Sequence, residues 1–94
     1  MISEARPKFL RIVKKLPLRL KTQLDSIIRE IEIDPKIGEL KHGDINFIWI
    51  YAFKDENKQI WLLSYIIKSE KKIEFIYLAT HENYYRDLKK YLKN

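Results

Sequence analysis

The chain has no cysteine, which excludes disulfides and thiolate chemistry and leaves any metal to two isolated histidines, His42 and His81, with no ligand-spaced partner. No metal and no other cofactor is expected. No run approaches the roughly 20 apolar residues of a membrane span, and the amino terminus lacks an apolar core of signal-peptide length, so a cytoplasmic protein with no membrane association is expected. Repeats, low-complexity segments and linkers are also missing. The 94 residues therefore read as one domain over 1–94, of a size that buries about 60–65% of its unfolded surface.

What is present is positive charge, and it is unevenly placed. The formal net charge is +6. Through position 21, Arg6, Lys8, Arg11, Lys14, Lys15, Arg19 and Lys21 are opposed by Glu4 alone, an excess equal to that of the whole chain. A basic face of this kind suits nucleic acid or an acidic protein partner, and a solvated lysine-rich helix would show the same pattern.

Apolar periodicity divides the chain in two. Phe9, Ile12, Val13 and Leu16 recur at spacings of three and four, predicting a short helix over about Ala5 to Lys15 that Pro17 ends. Leu20, Leu24, Ile27, Ile28 and Ile31 form a second helical stripe, closed by Asp34-Pro35, and the two helices should pack as a hairpin. Ile37 to Asp44 hold both glycines and read as the loop from helices to sheet. Ile45–Lys54, Ile60–Lys68 and Ile73–Ala79 then show strand composition, separated by two polar turns, Asp55 to Gln59 and Ser69 to Lys72. The expected fold class is α+β: an N-terminal helical hairpin packed on an antiparallel sheet of three strands, or four, with a short C-terminal helix over about Asn83 to Leu92. Alternation puts Phe47, Trp49, Tyr51 and Phe53, with Leu63, Tyr65 and Ile67, on the face toward the helices. Ile48, Ile50, Ala52 and Lys54, with Leu62, Ser64 and Ile66, take the other face, which is apolar for a surface open to water and should be covered. Trp49 and Trp61 read as packing residues.

Chemistry is concentrated at the end of the chain. Thr80-His81-Glu82-Asn83-Tyr84-Tyr85-Arg86-Asp87-Leu88-Lys89 follows directly on the last strand run, so an imidazole lands at a strand end with two tyrosines and a cation within about one helical turn. An acid/base group, stacking surfaces and a phosphate contact can share such a patch. A histidine opening a helix also serves as a simple cap, a tyrosine as core packing, and a strand-end lysine such as Lys54 as an edge-protecting charge.

Phe9-Leu10-Arg11, Lys14-Lys15-Leu16-Pro17, Asp34-Pro35-Lys36-Ile37-Gly38, Tyr51-Ala52-Phe53-Lys54 and Thr80 to Leu88 together resemble the RelE/ParE toxin superfamily of type II toxin–antitoxin systems, nearly end to end. The terminal segment looks specific for a RelE-like branch. The resemblance implies a metal-independent endoribonuclease that cleaves messenger RNA, often on the ribosome, and that a cognate antitoxin silences. It implies His81 as general acid/base, Lys54 as the phosphate contact and Tyr85 as the base-stacking aromatic, with Tyr84, Arg86, Lys41, Lys58 and Lys89 as further RNA contacts. The apolar face of Ile48, Ile50, Leu62 and Ile66 is the expected antitoxin surface.

Two positions depart from the family pattern. Ala52 stands where well-known members have a second lysine, and Leu62 where they have a strand arginine. Losing one electrostatic contact of that kind costs about 10²–10³ in rate. Lys41, His42, Lys58, Arg86 and Lys89 are the candidates to compensate. The same two departures suit the other branch of the superfamily, whose members act by binding gyrase, or a toxin reduced to binding its antitoxin.

Overall fold

A computed structural model describes residues 2–41 and 47–83. Among the described residues, five strands and two helices follow one another as β1 (Ile2–Ala5), α1 (Pro7–Lys14), α2 (Leu18–Ile33), β2 (Glu39–Leu40), β3 (Trp49–Lys54), β4 (Ile60–Ser69) and β5 (Lys72–Thr80), with a 3₁₀ turn at Pro35–Ile37 before β2. The strands form one sheet in the order β1-β5-β4-β3-β2. β1 runs parallel to β5, and the other pairings are antiparallel. The class is α+β as expected, while the sheet has five strands and is mixed.

The two extra strands have little sequence signal. β1 is four residues long and mostly exposed, carries Ser3 and Glu4 at its centre, and owes its strand form to β5. The Ile2 amide donates to the Lys71 carbonyl at 2.7 Å and the Arg6 amide to the Phe75 carbonyl at 3.0 Å. Arg6–Glu74 and Lys68–Glu4 ion pairs, at 3.3 and 3.5 Å, flank the seam. Pro7 then opens α1 at a position where a missing amide costs nothing, which moves the helix start past the expected Ala5. β2 has only two residues, too few for alternation to register. β3 begins at Trp49 rather than Ile45, residues 42–46 lie outside the described part of the chain, and Phe47 is exposed. The expected C-terminal helix also lies outside the described residues, apart from Asn83, whose amide closes a turn onto the Thr80 carbonyl.

Packing on the helical side follows the predicted stripe. Leu20, Leu24, Ile27 and Ile31 of α2 and Phe9 of α1 are buried against Phe53, Leu63, Tyr65, Ile73, Phe75 and Leu78. Trp49, Tyr51, Trp61 and Ile67 close the edges of that core. Fully burying one such aliphatic or aromatic side chain is worth about 1.5–3 kcal/mol, so this layer carries most of the stability.

The opposite face differs from expectation. Ile48, Ile50 and Leu62 are 0%, 5% and 4% exposed, in a second buried cluster with Ile76 and Tyr77, and Ile12, Ile66 and Ala79 pack against it. A register shift explains part of this. Ser64 pairs with Tyr77 while Tyr65 pairs with Phe75, so Ile76 is an extra residue in β5, and both Ile76 and Tyr77 join the second cluster. The apolar face expected to need a cover is thus buried in this chain.

The β3–β4 turn is built by Asp55. Its carboxylate accepts the amides of Asn57 and Gln59 at 2.8 and 3.0 Å and the Trp61 indole N–H at 3.0 Å. The indole hydrogen bond, opposed by burial and helped by the Gln59 and Asn57 amides, holds the Asp55 carboxyl below its ordinary value. A depressed carboxyl stabilises the fold fully above its unfolded-state pKa, about 4, and that contribution is lost as pH falls through the folded value. Acid unfolding followed by tryptophan fluorescence should show a transition below pH ~4 that Asp55→Asn flattens while lowering stability at neutral pH. Lys58 in the same turn has φ of 63°, a left-handed conformation that a side chain disfavours. Lys58→Gly is expected to raise stability by about 1 kcal/mol in urea denaturation.

Candidate functional site

Pro35 and Gly38 decide where the chain leaves the helical layer. Tyr65, on β4, is buried with its ring between Trp49 and Phe75, at centroid distances of 6.5 and 6.0 Å. Its hydroxyl donates to the Pro35 carbonyl at 2.7 Å and accepts the Gly38 amide at 3.1 Å. Burial pushes the Tyr65 phenol above its ordinary pKa, with the Gly38 amide opposing and the Asp34 and Tyr51 charges adding to the rise. A Cβ on Gly38 would lie 2.6 Å from the Tyr65 oxygen and 2.9 Å from the Ile50 carbonyl, so only glycine fits there.

This clamp lays Ile37 to Lys41 along β3 as one wall of a groove of about 500 Å³. Among the described residues, Ile37, Gly38, Glu39 and Lys41 line that wall, Ile50, Ala52 and Leu62 belong to the sheet beneath, and Tyr51 and His81 also line the groove. The wall is fixed by β2 pairing, Glu39 with Ile50 and Leu40 with Trp49, and by the Lys41 amide donating to the Ile48 carbonyl at 2.9 Å. Beyond Ile50 the short β2 provides no partner for β3. Lys41 Nζ lies 3.2 Å from Glu39 Oε1. Tyr51 donates its hydroxyl to Glu30 at 3.2 Å, and burial, then the Glu30 charge and hydrogen bond, raise its pKa.

His81 is exposed just past β5, and its amide donates to the Ile60 carbonyl at 3.0 Å. Lys54 is the ladder partner of Ile60. Lys54, Ile60 and His81 therefore form one row across the sheet, next to the row Ala52, Leu62 and Ala79 on the same face. Two strand spacings separate the backbones of Lys54 and His81, about 10 Å. Lys54 is exposed at the end of β3, with its carbonyl accepting the Gln23 side-chain amide at 2.7 Å, and it does not line the groove.

Of the site residues named from the sequence, the structure thus brings His81, Lys41, Ile50 and Leu62 together around one groove, with Lys54 on the same face and Lys58 in the turn beyond it. Ile48, Ile50 and Leu62 are buried, and Ile66 is partly buried. Tyr84, Tyr85, Arg86, Lys89 and His42 lie outside the described residues. The sequence did not single out Glu39 or Tyr51 as groove residues. Glu39 lies on a strand of two residues, and Tyr51 alternates as a core position; the Ile37-Gly38 pair was the one local sign that the backbone approaches a neighbour closely there. Among the described residues, no group of three His, Asp or Glu side chains is placed to hold a metal ion. No helix of the described residues is long and apolar enough to cross a membrane.

The Tyr65 clamp can be tested directly. Gly38→Ala should destabilise the protein by about 1–3 kcal/mol through overpacking, and Tyr65→Phe by about 1–3 kcal/mol by orphaning the Gly38 amide and Pro35 carbonyl. Urea denaturation of both variants and their combination checks this. A shared clamp requires the double variant to lose less than the two single losses added together.

A profile of the family described as ParE-like toxin of type II bacterial toxin–antitoxin system matches residues 4–89. No curated protein matches the chain in sequence. Solved structures share its fold. The intact Escherichia coli RelBE toxin–antitoxin complex contains a chain with TM-score 0.68 at 16% identity, covering 83% of this chain and 93% of its own. The isolated E. coli RelE toxin gives 0.66 at 18% identity, covering 96% and 97%. A mutant E. coli RelE toxin in complex with an antitoxin RelB peptide gives 0.66 at 19% identity, covering 93% and 92%.

Proposed function

Because the chain belongs to the ParE-like toxin family of type II bacterial toxin–antitoxin systems, we propose that it acts as a toxin by cleaving messenger RNA on the ribosome, without a metal, and that a cognate antitoxin neutralises it. The observation that carries this reading is the imidazole of His81 on the rim of a groove that also holds the Lys41 ammonium, with Lys54 on the same sheet face.

Metal-free RNA cleavage needs a group to take the proton of a ribose 2′-hydroxyl, positive charge for the oxygens of the five-coordinate phosphorus, and a proton for the departing 5′-oxygen. His81 is assigned the proton transfers, and Lys54 a phosphate contact along the row it shares with Ile60 and His81. Tyr85 is assigned the stacked base, with Tyr84, Arg86 and Lys89 beside it and Lys58 on the RNA backbone past the β3–β4 turn. Lys8, Arg11 and Lys15, around a shallow depression of about 310 Å³ on α1, are assigned to ribosomal RNA phosphates.

An antitoxin partner is supported by the family and by the fold shared with RelE chains solved together with RelB. The positive charge of this chain suits an acidic segment. Of the residues expected to dock the antitoxin, Ile50 and Leu62 line the groove and Ile48 is fully buried.

A second reading has its own observation. Ala52 and Leu62 place two apolar side chains in the groove next to His81, which suits a toxin that binds a protein target, such as gyrase, and cuts no RNA.

Induced expression of wild type and His81→Ala, with primer extension on abundant messages, separates the two. The expected result is growth arrest with new 5′ ends in the wild type, and loss of both in the variant. Arrest with intact messages supports the protein-binding toxin, and new ends that persist in His81→Ala remove the imidazole from the mechanism.

A further inference from the structure

The geometry points to the groove as the seat of a nucleobase, with Glu39 as the residue that selects guanine; this rests on the ribonuclease reading and names the nucleotide that reaction takes. Strand register places the parts. Glu39 is the ladder partner of Ile50, and directly paired residues of two strands stand on one face. The Glu39 side chain therefore shares the face of Ile50, Ala52 and Lys54, which follow one another at every second position of β3. Along that strand the face runs from a carboxylate beside Ile50, through the hydrocarbon of Ala52 and its ladder partner Leu62, to the Lys54 side chain past the end of the groove. The run covers about 13 Å. A nucleotide presents matching parts in the same order: an edge of N–H donors, an apolar ring face and a phosphate.

The floor favours a base over a phosphate. Ala52 is exposed, while Ile50 and Leu62 are 5% and 4% exposed, so a group resting there meets chiefly a methyl and finds no donor beneath it. A ring face gives up little hydration to hydrocarbon, whereas a phosphate gives up much and regains none of it from such a floor. With the base on Ala52, its 3′-phosphate falls about two residues further along the strand, roughly 7 Å, on the row of Lys54, Ile60 and His81.

Glu39 distinguishes the four bases. Its side chain is 77% exposed, with Oε1 3.2 Å from Lys41 Nζ. An ionised carboxylate has about four acceptor sites, so with that ion pair kept both oxygens can still accept N–H groups. Guanine offers two adjacent donors, N1–H and the N2 amino group, spaced for the two oxygens. Adenine and cytosine set a ring acceptor beside their amino group, and the single N3–H of uracil lies between two carbonyls, so each of these turns a lone pair toward the carboxylate.

The test titrates the four nucleoside 3′-monophosphates against the free protein by NMR, and maps cuts in a defined message by primer extension in a cell-free translation reaction. Guanosine 3′-monophosphate is expected to bind about tenfold tighter than the other three, with shifts centred on Glu39 and Ala52, and cuts should follow guanine. Glu39→Gln, whose amide matches the donor–acceptor edge of adenine, should weaken the guanosine probe about tenfold, make the adenosine probe the better ligand and move the cuts to follow adenine. Ala52→Leu, which fills the floor, should weaken all four probes about tenfold. Equal affinity for the four probes, or a guanine preference that Glu39→Gln leaves unchanged with the wild-type fold by NMR, overturns the assignment; cuts that still vanish in His81→Ala then leave the ribonuclease reading standing. Guanine-selective, Glu39-dependent binding without a cut in any message supports the base site and overturns the ribonuclease reading instead.

Discussion

Tyr65 carries a phenol into the core between α2 and the sheet, where a hydroxyl without partners would cost several times what its ring gains from one more aromatic contact. Its solution is to spend both hydrogen-bonding capacities on backbone, donating to the Pro35 carbonyl and accepting from the Gly38 amide. Those two groups belong to the segment by which the chain leaves α2. The buried hydroxyl thus fixes where that segment crosses onto the edge of β3, and the absence of a side chain at Gly38 allows the crossing to be close. Everything on the groove wall, including Glu39, Lys41 and the short β2 pairing, inherits its position from this one contact.

The groove is as wide as it is because the wall is short. β2 pairs with two residues of β3 and goes no further, so among the described residues Tyr51 to Lys54 have no strand partner on that edge. Exposed strand edges invite association, and this one is partly blunted by local means. Gln23 reaches from α2 to the Lys54 carbonyl, and Lys54 itself puts a charge at the strand end. The helical layer and the site are coupled through these contacts: α2 supplies Gln23 to the end of β3 and Glu30 to the Tyr51 hydroxyl.

How far the sequence carried depended on the length of each pattern. α2 is 16 residues long and β4 and β5 ten and nine, so periodicity identified α2 and β4 with their faces and β5 as the next strand of the meander. β1 and β2 have four and two residues, and their strand form comes from partners distant in the chain, which local composition does not encode. The bulge at Ile76 had no sequence mark either, and it matters because strict alternation over Ile73 to Ala79 would have sent Tyr77 to the helical face. The second face was read as too apolar to stand in water, and Ile48, Ile50 and Leu62 are indeed buried in a second cluster. For the candidate site, the places of His81 and Lys54 at strand ends were legible from the sequence. That Lys41 lines one groove with His81 was not, since it depends on the Tyr65 clamp.

The two apolar substitutions in the groove need not mean that phosphate chemistry is lost there, and the reason is dielectric. Two unit charges 4 Å apart attract by about 1 kcal/mol in bulk water but by about 4 kcal/mol where the effective dielectric constant is near 20. Ala52 and Leu62 remove solvated charge from the surface next to His81 and replace it with hydrocarbon. Once a nucleotide covers that surface, water is displaced from both sides of the remaining contact. A cation facing that surface then acts on a phosphate through less water than it would beside a fully hydrated wall.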